Sequence, residues 1–162
     1  MTATVGALQI RPAVEADVAA MVTIERASFS DPWTYAALAS TLRYDHMRVL
    51  VAEDSGVLAG DGAAGALGYV VAMIAGTEAE IADLAVAPGA RRRGIARALI
   101  DRLLAELAGG GVQAVFLEVR ESNRAARSLY ESRRFQGIGR RRGYYRSPVE
   151  DALLLKRELG PT

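Results

Sequence analysis

The stretch that decides the fold runs from residue 81 to residue 101 and reads IADLAVAPGARRRGIARALID. Residues 81–86 are apolar but for Asp83, with β-branched Ile81 and Val86 at the ends, the pattern of a buried strand. Pro88 and Gly89 stop it, because proline has no N–H for the ladder and glycine opens a turn. Beyond Gly94, the residues Ile95, Leu99, Ile100, Leu103, Leu104 and Leu107 recur at helical spacing. A strand therefore feeds a helix through Arg91-Arg92-Arg93-Gly94-Ile95-Ala96. The first N–H groups of a helix have no partner within it, and the helix dipole adds partial positive charge there. With three arginines alongside and small residues at 94 and 96, this loop is an expected phosphate site. The other reading is a solvated, arginine-rich helix start. Neither a Gly-x-x-x-x-Gly-Lys-Ser/Thr loop nor a Gly-x-Gly-x-x-Gly fingerprint is found in residues 87–97.

Working outward toward the N-terminus, residues 67–74 and 80–86 read as neighbouring strands, and 48–53 as another. Residues 54–66 are rich in Gly, Ala and Asp and read as a hairpin loop. Residues 8–11 form a first strand closed by Pro12. Residues 15–29 read as an amphipathic helix whose apolar face holds Val18, Met21, Val22, Ile24 and Ala27. Asp31-Pro32-Trp33-Thr34 breaks it, and Thr34 can cap a second helix ending near residue 42. Toward the C-terminus, Gly109-Gly110-Gly111 ends the central helix. Residues 112–120 are a strongly apolar strand, and strand–helix–strand of this length implies a parallel pair with a right-handed crossover. A short helix over 122–134 follows, then strands over 135–142 and 151–159 joined by a loop over 143–150. There are no internal repeats and no linker, so residues 1–162 read as a single domain with a mixed α/β sheet.

The chain has 162 residues, 51% of them hydrophobic, enough for a core of its own. It has no cysteine, which excludes disulfides, thiolate metal sites and a cysteine nucleophile. The lone histidine, His46, lies in the polar run Arg43-Tyr44-Asp45-His46 and reads as a surface residue rather than part of a Ser-His-Asp triad. No apolar run reaches membrane-spanning length and no basic-then-apolar leader is seen, so a cytoplasmic protein is expected. Residues 1–86 carry 4 Arg against 11 Asp and Glu, net −7; residues 87–162 carry 15 Arg and 1 Lys against 8 Asp and Glu, net +8. That asymmetry suits an anionic ligand on the second half and a cationic partner near the first.

Four further places carry chemistry. Glu118 sits inside Val115-Phe116-Leu117-Glu118-Val119, where an unpaired charge is costly to bury. Alternation puts it on the face of Ala114 and Phe116. It reads either as a working carboxylate or as the partner of Arg120 or another arginine. Tyr130 reads as a half-buried tyrosine or as a proton donor. Ser122 and Asn123 open a helix, and either can be its N-cap. Arg140-Arg141-Arg142 with Tyr144-Tyr145 interleaves charge and aromatics as nucleic-acid surfaces do, but arginines alternating on a strand form no single stripe.

The Arg-x-x-Gly-x-Ala spacing of residues 91–96 resembles the acetyl-CoA pyrophosphate loop of the GNAT acetyltransferase superfamily. Other short pieces, in the right order, extend the likeness over nearly the whole chain. They are Asp31-Pro32-Trp33, Leu84-Ala85-Val86, Leu117-Glu118-Val119-Arg120 with Ser122-Asn123, and Leu129-Tyr130-Glu131-Ser132 with Phe135. Arg141 and Arg142 with Tyr144-Tyr145, and then Glu150-Asp151-Ala152, complete the set. Together they resemble the ribosomal-protein-alanine N-acetyltransferases, the RimI type.

The resemblance implies an α/β fold: a mixed, mostly antiparallel central sheet with one parallel splayed pair, flanked by helices. It implies acetyl-CoA as donor and no metal. Pantetheine would lie along Leu84, Ala85 and Val86, the pyrophosphate over Arg91, Arg92, Arg93, Gly94, Ile95 and Ala96, and Asn123 would bond coenzyme A. Glu118 would be the proton acceptor and Tyr130 the proton donor. Trp33, Tyr144 and Tyr145 would wall a cleft for the acceptor. That acceptor would be a protein N-terminus, an alanine of a small-subunit ribosomal protein, with a lysine side chain or small-molecule amine as the alternative. Direct nucleic-acid and membrane binding are not expected. The chain departs from the family pattern at Arg134, where a glycine usually precedes the phenylalanine, at Gly143 and over Leu153-Leu154-Leu155. A non-glycine residue in a left-handed cap costs roughly 1 kcal/mol, so a different end to this helix is expected.

Overall fold

A computed structural model describes residues 8–54 and 65–160. Within them the elements are β1 (Leu8–Pro12), α1 (Val18–Ser28), α2 (Tyr35–Thr41), β2 (Met47–Asp54), β3 (Ala66–Ala75) and β4 (Glu78–Val86). Then come α3 (Ile95–Gly109), β5 (Ala114–Arg120), α4 (Arg124–Ser132), β6 (Gln136–Arg146) and β7 (Val149–Glu158). This is the order expected from the sequence; the loop expected over 54–66 falls mostly outside the described residues. The strands form one seven-stranded sheet in the order β1-β2-β3-β4-β5-β7-β6. It is mostly antiparallel, with β4 and β5 parallel as the strand–helix–strand pattern requires. The chain forms two compact units, one of residues up to 71 with 83–103, the other of 72–82 with 104 onward.

In the first unit, the apolar face of α1 (Val18, Met21, Val22, Ile24) and Leu38 of α2 pack with Val49, Val51, Tyr69, Val71 and Ala85. Thr34 caps α2, its hydroxyl accepting from Ala37 N–H at 3.1 Å. α1 starts later than its apolar pattern suggests, because Glu15–Asp17 make a tighter 3₁₀ turn. The cause is Asp17, which is fully buried and accepts from Val14 N–H at 2.7 Å and from both Arg11 Nη atoms at 2.8 Å. Burial pushes the Asp17 carboxyl up, but the Arg11 guanidinium and the Val14 N–H more than offset this and hold it below the usual range. Gly68 on β3 lies where a Cβ would meet Ala85 O at 3.0 Å and Ile95 and Val86 methyls at 3.2 Å. A glycine there lets the start of α3 approach the sheet.

In the second unit, β4 and β5 pair from Glu78↔Ala114 to Ile81↔Leu117. β5 pairs with β7 over its whole length. α3 ends as its glycines predict: Gly111 is left-handed (φ 89), and Val112 N–H reaches back to Leu107 O at 3.0 Å. The last hairpin differs from expectation. β6 continues to Arg146 and β7 begins at Val149, so the turn holds only Ser147 and Pro148, joined by a cis peptide, and Tyr144 and Tyr145 stand on a strand. Gly143, the first residue of the loop expected over 143–150, sits instead in a bulge: Arg141 faces Ala152 while Tyr145 faces Glu150. Its φ of 59 takes up the extra residues, and its N–H donates to Asp151 Oδ1 at 2.9 Å.

Candidate active site

The arginine loop is built from the end of β4. Pro88–Ala90 make one 3₁₀ turn, with Ala90 buried beneath it. Arg92 (φ 66) and Gly94 (φ 78) are both left-handed, which curves the backbone so that successive N–H groups converge. Ala98 N–H donates to Gly94 O at 3.0 Å, so the helix opens at Ile95. The N–H groups of Gly94, Ile95, Ala96 and Arg97 therefore have no acceptor within it. A Cβ at Gly94 would meet nothing within 4 Å, so the space over these groups is open. Two of the arginines brace the loop itself. Arg91 Nε donates to Val86 O at 3.2 Å and its Nη2 to Ser28 Oγ at 3.3 Å, and Arg93 pairs with Asp54 at 3.2 Å. The Ile95 side chain is an anchor in the core while its N–H is one of the open groups, and Ala96 lies beside it, half-buried. Of the residues leading in, Ala85 is buried while Leu84 and Val86 are half-exposed.

Glu118 stands on the less buried face of β5 with Ala114, Phe116 and Arg120, as alternation predicts. Its arginine partner is not Arg120 but Arg141, whose Nε lies 3.1 Å from Oε1. The Tyr144 hydroxyl also donates to this carboxylate; that bond, then desolvation, holds the phenol above its usual range. Arg120 turns away to Glu150 at 3.3 Å and stacks over the Tyr145 ring, 4.2 Å from its centroid. Burial and the Glu118 charge push the Tyr145 hydroxyl up to about 12. The two tyrosine rings meet edge to face at 5.1 Å. A cavity of about 210 Å³ opens at Glu118, lined also by Glu80, Phe116, Ile138, Arg141 and Leu154. Arg140 points elsewhere, to Glu121 at 2.7 Å and Asp151 at 2.9 Å, so the arginine run is divided between faces.

Asn123 is the N-cap of α4, accepting from Ala126 N–H at 3.1 Å. Tyr130 is 6% exposed, and its ring meets Phe135 edge to face at 5.4 Å. The helix ends as a glycine would end it, contrary to expectation: Arg134 itself adopts φ 66. Phe135 N–H donates to Tyr130 O and Arg134 N–H to Glu131 O, both at 3.0 Å, which is a Schellman close. The Tyr130–Phe135 contact is the apolar pair that accompanies such a close, and its gain offsets the strain at Arg134.

Trp33 is half-buried in the first unit, packed against the α1–α2 core. Its N–H donates at 3.1 Å to Glu25 Oε1. Glu25, Tyr69 and Asp83 form a buried polar group that sequence reading missed. The Tyr69 hydroxyl donates to Glu25 Oε2 and lies 3.3 Å from Asp83 Oδ2. Burial and the hydrogen bond to Glu25 push the Asp83 carboxyl up to about 9, so it keeps its proton at neutral pH. Burial, then the two carboxyl neighbours, also push the Tyr69 hydroxyl up. The signal was present: Glu25 follows Val18, Met21 and Val22 at helical spacing, and Asp83 shares the parity of Ala79, Ile81 and Ala85. His46 is exposed beside Tyr44, as expected. Among the described residues no group of His, Cys, Asp and Glu is placed to hold a metal ion, and no helix is long and apolar enough to cross a membrane.

Residues 18–135 match the sequence model of the acetyltransferase (GNAT) family. N-alpha-acetyltransferase RimI of Mycobacterium tuberculosis is 36% identical over 99% of this chain and 98% of its own. The ribosomal protein bS18-alanine N-acetyltransferase of Escherichia coli is 31% identical over 86% of this chain and 89% of its own. The crystal structure of the Escherichia coli ribosomal-protein-alanine N-acetyltransferase superposes with a TM-score of 0.84 at 28% identity, covering 96% of each chain.

Proposed function

The chain belongs to the acetyltransferase (GNAT) family, and from that premise we propose that it acetylates the N-terminal α-amine of a protein, alanine first. It is an acetyl-CoA-dependent N-acetyltransferase. The observation that carries the α-amine reading is the nearly end-to-end likeness to N-alpha-acetyltransferases. A ribosomal protein is the proposed acceptor, with the reaction in the cytoplasm and the chain acting as one domain.

When bound, acetyl-CoA supplies the activated acyl thioester. The open N–H groups at Gly94–Ala96, with Arg92 alongside, suit its pyrophosphate, and Leu84, Ala85 and Val86 offer backbone to its pantetheine arm. Asn123 serves coenzyme A as well as capping α4. Glu118 takes the proton that leaves the amine, directly or through water, because a protonated amine has no lone pair to attack with. Arg141 and Tyr144 hold that carboxylate in one orientation. Tyr130 gives a proton to the departing sulfur. Having no cysteine, the chain cannot form a thioester acyl-enzyme, and the proposed route is direct attack of the amine on acetyl-CoA. Trp33, Tyr144 and Tyr145 hold the acceptor backbone. An α-amine has a pKa near 7.7–8.0 against about 10.4 for lysine, so at pH 7 its neutral fraction is roughly 200- to 400-fold larger. A single modest base then suffices.

The test is competition between an alanine-initiated peptide and its N-terminally blocked, lysine-containing counterpart, read by mass spectrometry. The alanine α-amine is expected to react faster; faster acetylation of the blocked peptide overturns the α-amine assignment.

A further inference from the structure

Glu25 lies on the core face of α1 and is 1% exposed. A carboxylate buried there is costly unless hydrogen bonds replace its water. Three donors do so, and each comes from a different part of the first unit. Trp33 N–H, from the turn between α1 and α2, reaches Oε1 at 3.1 Å. The Tyr69 hydroxyl from β3 reaches Oε2, and the protonated carboxyl of Asp83 from β4 completes the set. The turn itself is short: Phe29 N–H closes α1 on Glu25 O at 3.0 Å, and Leu38 N–H opens α2 on Thr34 O at 3.0 Å. Between those two points Glu25 grips the turn by its backbone, next to the one side chain of the turn that packs on the core, the Trp33 indole. The grip is on an N–H, so it fixes where Trp33 stands whatever Trp33 itself touches.

We propose that Glu25 is a positioning residue for the acceptor: braced by Tyr69 and Asp83, it holds the Trp33 turn in the conformation that receives the acceptor peptide. This rests on the reading above that Trp33 walls the acceptor cleft. Glu25 touches neither substrate in this account, so its loss moves the acceptor term and leaves the donor term alone.

The chain has a single tryptophan, so its fluorescence reports on this turn and nothing else. In Glu25→Leu the acceptor KM is expected to rise about tenfold, the scale of one lost buried hydrogen bond, with acetyl-CoA KM and kcat within about twofold. Acrylamide quenching of Trp33, measured without substrates, should increase. Glu25→Gln keeps an oxygen for Trp33 N–H and should match the wild type in both readouts. It also serves if the leucine variant does not fold. Trp33→Ala should raise acceptor KM similarly, and adding Glu25→Leu to it should raise it no further. Unchanged quenching and acceptor KM in folded Glu25→Leu, or a raised acceptor KM in folded Glu25→Gln, overturns the proposal. Increased quenching in Glu25→Leu with an unmoved acceptor KM in Trp33→Ala overturns instead the assignment of Trp33 to the acceptor cleft, and the positioning role falls with it.

Discussion

The Asp83 carboxyl keeps its proton up to about pH 9 in the folded chain, whereas an unfolded aspartate releases it near 3.8. A folded pKa raised in this way gives a contribution to stability that is full below about pH 4 and is lost as pH climbs toward 9. Asp83→Asn keeps a donor for Glu25 and cannot ionise. Its melting temperature should therefore gain on the wild type steadily between pH 5 and pH 9; a constant difference in thermal melts would show that no proton is held there. Comparing variant with wild type cancels Asp17, whose depressed carboxyl acts oppositely, losing stability on acidification. Glu118 differs in kind, being on an open face with a cavity before it. Glu118→Gln is expected to cut kcat/KM by roughly 10²–10⁴ at pH 7, where most amine is protonated, and by less at pH 9, a profile that a merely structural ion pair would not produce. Tyr130→Phe should lower kcat with acetyl-CoA affinity unchanged. Glu118 was legible because a charge interrupts an apolar strand. Glu25 was not, since a glutamate is ordinary in a helix and only its place in the stripe marks it. Asp83 interrupts an apolar strand as Glu118 does, but it lies on the buried face, and what meets it there, Tyr69 and Glu25, is brought by distant elements; Gly68 gives no local sign of what will approach it.

At the scale of elements, α3 and α4 end by one motif with different residues at the left-handed position, Gly111 in one and Arg134 in the other. An L-residue there costs about 1–2 kcal/mol, while a glycine costs about 0.4–1 kcal/mol through the freer unfolded chain. Arg134→Gly should thus stabilise the protein by about 0.5–1 kcal/mol, or about 1–4 °C in melting temperature, with kcat unchanged. No gain, or a loss of kcat, would mean that the Arg134 side chain does something its backbone conformation does not explain. The same pair shows where sequence reading stops. Hydrophobic runs and periodicity mark most helices and strands among the described residues, because burial of one face is what forms them; β6, exposed along almost its whole length, is the exception. Ends are set by single hydrogen bonds, and those depend on partners distant in sequence: Asp17 tightens the entry to α1 only because Arg11 meets it, and the Gly143 bulge lengthens β6 only because Asp151 takes its N–H. A loop is expected over 143–150 where the strand merely swells at Gly143, so Tyr144 and Tyr145 stand on a strand whose rigidity suits holding Glu118.

For the whole molecule, a ligand that binds only the folded chain stabilises all of it by mass action. Coenzyme A at a hundredfold over its Kd should add about 2.7 kcal/mol. For a chain of this size that raises the melting temperature by about 5–10 °C. The anion site proposed to take it combines the open N–H groups at the start of α3, the left-handed Arg92 and Gly94, and the excess of arginine after residue 86. Gly94→Asp tests this site with two separable effects. The first is intrinsic: at φ 78 a side chain is strained, a net cost of about 0.5–1 kcal/mol once the freer unfolded glycine chain is counted, which lowers the ligand-free melting temperature by about 1–4 °C. A Cβ there meets nothing, so the fold itself should survive. The second is electrostatic: a carboxylate is placed where phosphate oxygens would sit, and the coenzyme A shift should shrink to near zero. Gly94→Ala provides the control, sharing the strain without the charge and retaining most of the shift. Thermal melts of the three proteins, with and without coenzyme A, measure both terms. A folded Gly94→Asp protein that still gains the full wild-type shift would place the pyrophosphate away from this loop.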